Sequence, residues 1–400
     1  MALDIQGVRE ETPGCRERIH FNNAGASLMP RRVVETVIGH LKLEERIGGY
    51  EAADAEHERI AGVYGSCARL INCDPDEIAL LENATRAWDA AFYAIPFSTG
   101  DRIITGRAEY CSNYMAYLQV VRTAGAEIVV IGDDDHGQID VHELRAAIDE
   151  RVKLISLTHV PTSGGLVNPA AEVGQVARGA GVLYLLDATQ SVGQMPIDVA
   201  AIGCDFLATT GRKFIRGPRG TGFLYVAHDR IADLHPAVVE VGGAEWTARD
   251  AYTLKNDAKR FETWEVSCAL QLGLGRAIDY ALELGLAATW ERVRSLAESL
   301  RQALEQIDGV AVHDLGAIRC GIVTFSADAV DSDRLKHALR AQAINVEVAG
   351  SDDTRLDFEA RKLKSIIRAS VHYFNTDEEI DRFRAAVETL LPSLAREAAR

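Results

Sequence analysis

Between residues 78 and 226 short apolar runs alternate with stretches of helical period, and that alternation leaves few folds open. The runs fall at 78–81, 102–105, 128–131, 154–158, 183–186, 206–210 and 223–226. Helical patterns at 86–95, 113–124, 140–149 and 169–180 separate the first five. Strands joined by helices of about ten residues need crossover connections, which build a mostly parallel sheet. In such an open α/β sheet, ligands bind beyond the carboxyl ends of the strands. The loops that follow each run are therefore where chemistry is expected.

After residue 241 the pattern changes. Glycine, tryptophan and charge dominate to about residue 265, followed by a long helical stretch at 267–307, continuous or interrupted. Strand patterns at 310–315, 322–325, 344–348 and 366–371, with helices at 332–341 and from 377, predict a smaller α+β domain. The expected division is a segment 1–25 packing with the small domain, a large α/β domain at 26–250 and the small domain at 251–400. Ahead of the sheet, Pro30 opens a helix to about residue 46. Gly48-Gly49-Tyr50 breaks it, and a second helix is expected at 52–71.

A formal net charge of −16 argues against nucleic acid or an anionic membrane as a partner. No apolar run reaches the length of a membrane span, and the first twenty residues lack a signal-peptide pattern, so a cytoplasmic protein is expected. Seven cysteines lie far apart with no C-x-x-C, and eleven histidines include no i, i+4 pair. Neither a disulfide framework nor a metal site is expected.

The strand-end loops carry a consistent set. Asp187 closes the run Leu183-Tyr184-Leu185-Leu186, and Lys213 follows Thr209-Thr210-Gly211-Arg212 after the next run. An acid and an amine at the ends of two strands suit an aldehyde cofactor with a basic ring nitrogen. Ala84-Thr85-Arg86 enters a helix, whose N–H groups and dipole suit a phosphate. Tyr110, in Glu109-Tyr110-Cys111-Ser112-Asn113, could stack on a planar ring. Thr162 and Gln190 stand in two further loops. Taken singly, Thr85 is a helix cap and Tyr110 a buried tyrosine. It is the set that speaks.

Read together, and most specifically through LYLLDATQSVGQMPIDV and CDFLATTGRKFIRGPRGTGFLYV, the chain resembles the class V aminotransferase family, which includes cysteine desulfurases, selenocysteine lyases and isopenicillin N epimerase. The resemblance covers nearly the whole chain. It implies fold type I, pyridoxal 5′-phosphate as cofactor, a small amino-acid substrate and a homodimer with sites at the interface. It implies that Lys213 bonds the cofactor aldehyde and then moves protons at the substrate's α and β carbons. Asp187 pairs with the ring nitrogen, Gln190 with Thr162 contacts the phenolic oxygen, and Tyr110 stacks on the ring. Ala84, Thr85, Arg86, Thr210 and Arg212 hold the phosphate. Arg368, in Ile367-Arg368-Ala369-Ser370, grips the substrate carboxylate. Ala24 and Gly25 line the substrate site, and Tyr50 does so by likeness to relatives that cleave C–S bonds of cysteine derivatives. In Arg260-Phe261-Glu262-Thr263-Trp264-Glu265, Thr263 and Trp264 are both candidates to reach a neighbouring subunit's phosphate.

One departure is informative. Desulfurases carry a nucleophilic cysteine on a loop about fifteen residues before the carboxylate-binding arginine. Here that loop, Val348-Ala349-Gly350-Ser351-Asp352-Asp353-Thr354-Arg355-Leu356, has none. The expected activity is therefore β-elimination by Lys213 from an S-substituted L-cysteine or its sulfoxide, giving pyruvate and ammonia. Epimerisation or transamination stays open, as does a non-catalytic binding protein of the same fold.

Overall fold

The structure, a computed structural model, describes residues 3–398. Its centre is a seven-stranded sheet made of β1 (Ile78–Leu81), β2 (Arg102–Gly106), β3 (Glu127–Ile131), β4 (Val152–Thr158), β5 (Leu183–Asp187), β6 (Phe206–Thr210) and β7 (Gly222–Val226). The strand order is β1-β7-β6-β5-β4-β2-β3. Only β7 runs against its neighbours.

The apolar runs are continuous because both faces of the sheet are covered. Successive residues point to opposite sides. Ile155, Leu157 and Leu186 enter one core cluster, whereas Leu154 and Leu185 enter the other. Each fully buried Leu or Ile contributes roughly 1.5–3 kcal/mol. A one-residue slip of a strand would exchange its two faces and misplace the residue at its carboxyl end.

A second sheet is antiparallel and consists of β8 (Val310–Val312), β9 (Ile322–Ala327), β10 (Glu347–Gly350) and β11 (Ser365–Ser370), in the order β8-β9-β11-β10. The short strand Ile19–His20 pairs in parallel with Ile344–Asn345 beside it, and Ile19 and Phe21 join its apolar core. Helix Cys268–Leu284, within the stretch expected as the smaller domain, packs on helices Arg31–Ile47 and His57–Ile71. Its Leu274, Ala277 and Ile278 share a core cluster with the large sheet.

Three local features differ from the sequence expectation. The helix expected at 52–71 is two helices, Gly49–Ala55 and His57–Ile71, whereas the interruption allowed for in 267–307 falls at Gly285. Strands Ala244–Ala248 and Ala251–Leu254 form a hairpin whose side chains are mostly exposed, so no alternation of polar and apolar residues marks it. A short helix, Arg355–Arg361, follows the loop after β10. Among the described residues no helix is long and apolar enough to cross a membrane, and no cluster of metal-ligating side chains occurs.

Candidate active site

The carboxyl ends of β1, β2, β4, β5 and β6 open onto one cavity of about 440 Å³. Its walls include Ala84, Thr85, Arg86, Tyr110, Thr162, Asp187, Gln190, Arg212 and Lys213. The loops singled out in the sequence thus converge, because parallel strands deliver their ends to the same edge.

One end of the cavity suits a phosphate. Helix Ala84–Phe92 begins there, and its N-cap Asn83 accepts the Arg86 N–H (3.0 Å), leaving the earlier amides free of that cap. Gly222 makes the close approach possible, since a Cβ at that position would lie 2.5 Å from the Thr209 oxygen and 2.8 Å from the Asn83 carbonyl carbon. The Arg212 guanidinium donates to the Thr210 hydroxyl (3.3 Å) and lines the same end. Thr210 itself lies behind the wall, its hydroxyl donating to the Thr221 carbonyl (3.1 Å).

At the centre, Asp187 accepts the Thr189 N–H on Oδ1 (2.9 Å) and the Asn113 amide on Oδ2 (3.0 Å). Lys213 is 8 % exposed. Burial pushes its amine down to about 7, helped by the charges of Arg212 and Arg368 and opposed by Asp187 and Asp353. A substantial neutral fraction near pH 7 is what a lysine nucleophile or base requires.

On the far side, Arg368 sits on β11, buried, and donates through Nη1 to the Thr162 carbonyl (3.0 Å) and hydroxyl (2.6 Å). Gln190 Nε2 donates to the Thr162 hydroxyl (3.0 Å) and the Ala24 carbonyl (3.2 Å). The Ala24 N–H is held by the Ser370 hydroxyl (2.9 Å), so Ala24 reaches the site only through Gln190, and neither Ala24 nor Gly25 is part of the cavity wall. Gln190 Oε1, Thr189 Oγ1 and Arg368 Nε are buried without a protein partner. Thr189 and Gln190 line the cavity, and Arg368 stands behind its wall on Thr162; buried polar atoms are ordinarily paired, so these orphans fit a polar ligand.

Tyr50 is not brought to the cavity of its own chain. Gly48, at φ +100°, ends helix Arg31–Ile47 and sends Gly49–Ala55 outward. The Tyr50 ring is 72 % exposed and lies 5.9 Å from that of Trp264, which is also exposed. Neither Thr263 nor Trp264 lines the cavity.

Three residues whose roles the sequence reading did not reach complete the site. Glu109 is buried and receives the hydroxyls of Thr105 (2.7 Å), Tyr117 (3.1 Å) and Thr158, together with the Tyr110 N–H (2.8 Å) and the Asn113 amide (2.9 Å). Burial still pushes its carboxyl up. The i, i+4 spacing of Glu109 and Asn113 around a helix start was the available signal. Arg216, fully buried at φ +64°, donates to the Leu28 carbonyl (2.8 Å), the Tyr373 hydroxyl (2.8 Å) and the Thr12 hydroxyl (2.6 Å), and its N–H bonds the Lys213 carbonyl. It ties the lysine loop to both chain ends. In sequence it is one of several arginines in a basic run.

Among the described residues no cysteine lines the cavity. The loop after β10 carries Asp353, whose carbonyl accepts the Cys111 N–H (2.9 Å). Burial pushes the Cys111 thiol above its ordinary range, and Cys320, wholly buried, up to about 12.

An anion-ready helix start, an acid at one strand end and a buried amine past the next define a pyridoxal-phosphate enzyme of fold type I. The sequence comparison agrees over nearly the whole length. The chain belongs to the class-V aminotransferase family, whose model matches residues 19–383. It is 28 % identical over 394 residues to a probable cysteine desulfurase of Methanothermobacter thermautotrophicus, covering 97 % of this chain and 98 % of that one. The apo structure of a cysteine desulfurase from Thermococcus onnurineus superposes with a TM-score of 0.91 at 25 % identity, covering 98 % and 99 % of the two chains. The cystine C–S lyase C-DES, in complex with its product cysteine persulfide, shares the fold with a TM-score of 0.85 at 24 % identity over 94 % of this chain and 99 % of that one. The cofactor is pyridoxal 5′-phosphate.

Proposed function

We propose that the enzyme is a C–S lyase which eliminates the sulfur group of an S-substituted L-cysteine or its sulfoxide, releasing pyruvate and ammonia. The relatives named as cysteine desulfurases support C–S cleavage of a cysteine substrate. The observation that carries the finer reading is the cavity wall, which offers an amine, Lys213, and no thiol. A persulfide route needs an accessible cysteine with a lowered pKa. The one whose backbone meets the loop after β10, Cys111, is shifted the other way.

In this reading, Thr85, Arg86 and Arg212 hold the cofactor phosphate with the amides of helix Ala84–Phe92, and Asp187 holds the ring nitrogen proton. When bound, pyridoxal phosphate supplies the electron sink for charge developed at the substrate Cα. Arg368 turns its guanidinium to the substrate carboxylate, a bidentate match, and Tyr110 covers the ring. Lys213 takes the proton from Cα, and the Cβ–S bond breaks with its electron pair leaving on sulfur. Water then completes the conversion of the remaining three-carbon unit to pyruvate and ammonia.

The second part of the proposal is a homodimer. Tyr50, Trp246, Tyr252 and Trp264 are large exposed side chains, with Trp246 at 78 %. The paired rings of Tyr50 and Trp264, both exposed, suit contact with another protein. A second copy would cover them and bring Tyr50, Thr263 and Trp264 to the neighbouring cavity. Sedimentation equilibrium tests this: a dimer is expected, and a monomer at micromolar concentration refutes it. The catalytic reading is tested by incubating holoenzyme with a panel of cysteine S-conjugates and measuring pyruvate. No pyruvate from any member refutes it.

A further inference from the structure

Two carboxylates, Asp187 and Glu109, lie close together in the interior, and a single side chain stands between them. Asn113 donates one amide proton to Asp187 Oδ2 (3.0 Å) and the other to Glu109 Oε1 (2.9 Å). All three residues are buried. We propose that Asn113 is a positioning residue that holds the Asp187 carboxylate aimed into the cavity, and apart from Glu109, by sharing its amide protons between the two acids. This extends the cofactor assignment and does not depend on which amino acid is the substrate.

The physical case rests on like charge. Two neighbouring buried carboxylates cannot both ionise cheaply, and one of them is driven to take up a proton. The mutual effect is visible in Glu109, whose carboxyl is raised first by burial and further by Asp187. Hydrogen bonds to ionised acceptors are the strong ones and favour the charged form. Glu109 has four further donors besides Asn113, namely Thr105, Thr158, Tyr117 and the Tyr110 amide. Asp187 has only one, the Thr189 N–H. Loss of the Asn113 amide therefore falls hardest on Asp187. With a single donor left and Glu109 beside it, Asp187 turns away from the place of the ring nitrogen, and the electron sink weakens. Lys213 and the phenol of Tyr110 face Asp187, the phenol of Tyr117 faces Glu109, and Arg212, Arg368 and Asp353 act on this centre by way of Lys213.

The test uses holoenzyme and two variants of similar shape, one that removes the two amide donors and one that removes a charge. Asn113→Leu keeps the shape and removes both donors. It is expected to lower kcat about 10- to 100-fold with KM changed less than about 3-fold, and to move the pH midpoint of the holoenzyme's visible band upward by about half a unit or more. Glu109→Gln in the Asn113→Leu background removes the competing charge. It is expected to recover about 5-fold or more of the lost kcat and to return the band toward its original midpoint. A merely structural asparagine would not be rescued by losing a second partner. Additive losses, or a band that titrates unchanged in Asn113→Leu, overturn the proposal. If Asn113→Leu does not fold, Glu109→Gln alone decides: a downward shift of the midpoint supports it and an unmoved midpoint overturns it.

Discussion

The centre of the cavity, around Asp187, and its far side, toward Arg368, are built on different principles. At the Asp187 end every buried carboxylate oxygen has a donor: Thr189 and Asn113 on Asp187, and five groups on Glu109. At the Arg368 end the buried atoms Arg368 Nε and Gln190 Oε1, on the two side chains that share Thr162, have no protein partner. A buried polar group left unpaired costs about 1–3 kcal/mol. The first end is thus preorganised before any ligand binds, whereas the second gains its missing partners from one. The difference teaches where to seek chemistry and where to seek specificity: the saturated end sets the electronic state of the cofactor, and the unsaturated end selects what is presented to it.

The contrast can be broken most severely at Lys213, which stands between the two ends. Lys213→Ala is expected to lower kcat by roughly 10³-fold or more and to abolish the visible band of the holoenzyme, read by spectrophotometry. Arg368→Ala should instead leave the band intact and raise KM for the amino acid roughly 10- to 100-fold, the effect of losing a charge-assisted pair. An altered cofactor spectrum in that variant would mean the two ends are not separable.

A pH measurement sharpens the comparison further. In apoenzyme the neutral Lys213 amine must attack the cofactor aldehyde. The rate of cofactor capture is therefore expected to rise with pH and level off above about 7, where burial has placed the amine, rather than near its ordinary 10.5. Stopped-flow absorbance across that range reads it directly. The smallest effect concerns the phosphate end. A Cβ at Gly222 would strike the backbone of Thr209 and Asn83, so Gly222→Ala should destabilise by about 1–3 kcal/mol and weaken cofactor binding, seen as a lower Tm that added cofactor only partly restores.

Much of the preorganised end was legible in the sequence, for a physical reason. Continuous apolar runs declare doubly covered strands, and a parallel sheet delivers their polar termini, Asp187, Thr158 and the turn before Lys213, to one edge. Tyr110 and Arg212 follow from the same logic. The small domain's strands were legible too, but the partners they deliver were not. Arg368 was identified from a family segment, and its contact with Thr162 spans 206 positions of chain. The hairpin Ala244–Leu254 escaped notice because it lies on the surface and shows no buried face. Glu109 and Asn113 escaped as functional residues because a carboxylate and an amide at a helix start look like ordinary capping. Their significance depends on Asp187, 74 positions beyond Asn113. Tyr50 shows the converse: a motif can place a residue near substrate, yet a single chain holds it on the outside.

Product analysis with L-cysteine and its S-conjugates addresses the distinction between amine-only and thiol-assisted chemistry most directly. Holoenzyme is incubated with each substrate, and pyruvate, alanine and protein-bound persulfide are measured together. Pyruvate in step with the released sulfur group, without alanine or persulfide, is the predicted outcome. Alanine accompanied by a persulfide on any cysteine of the chain would contradict it.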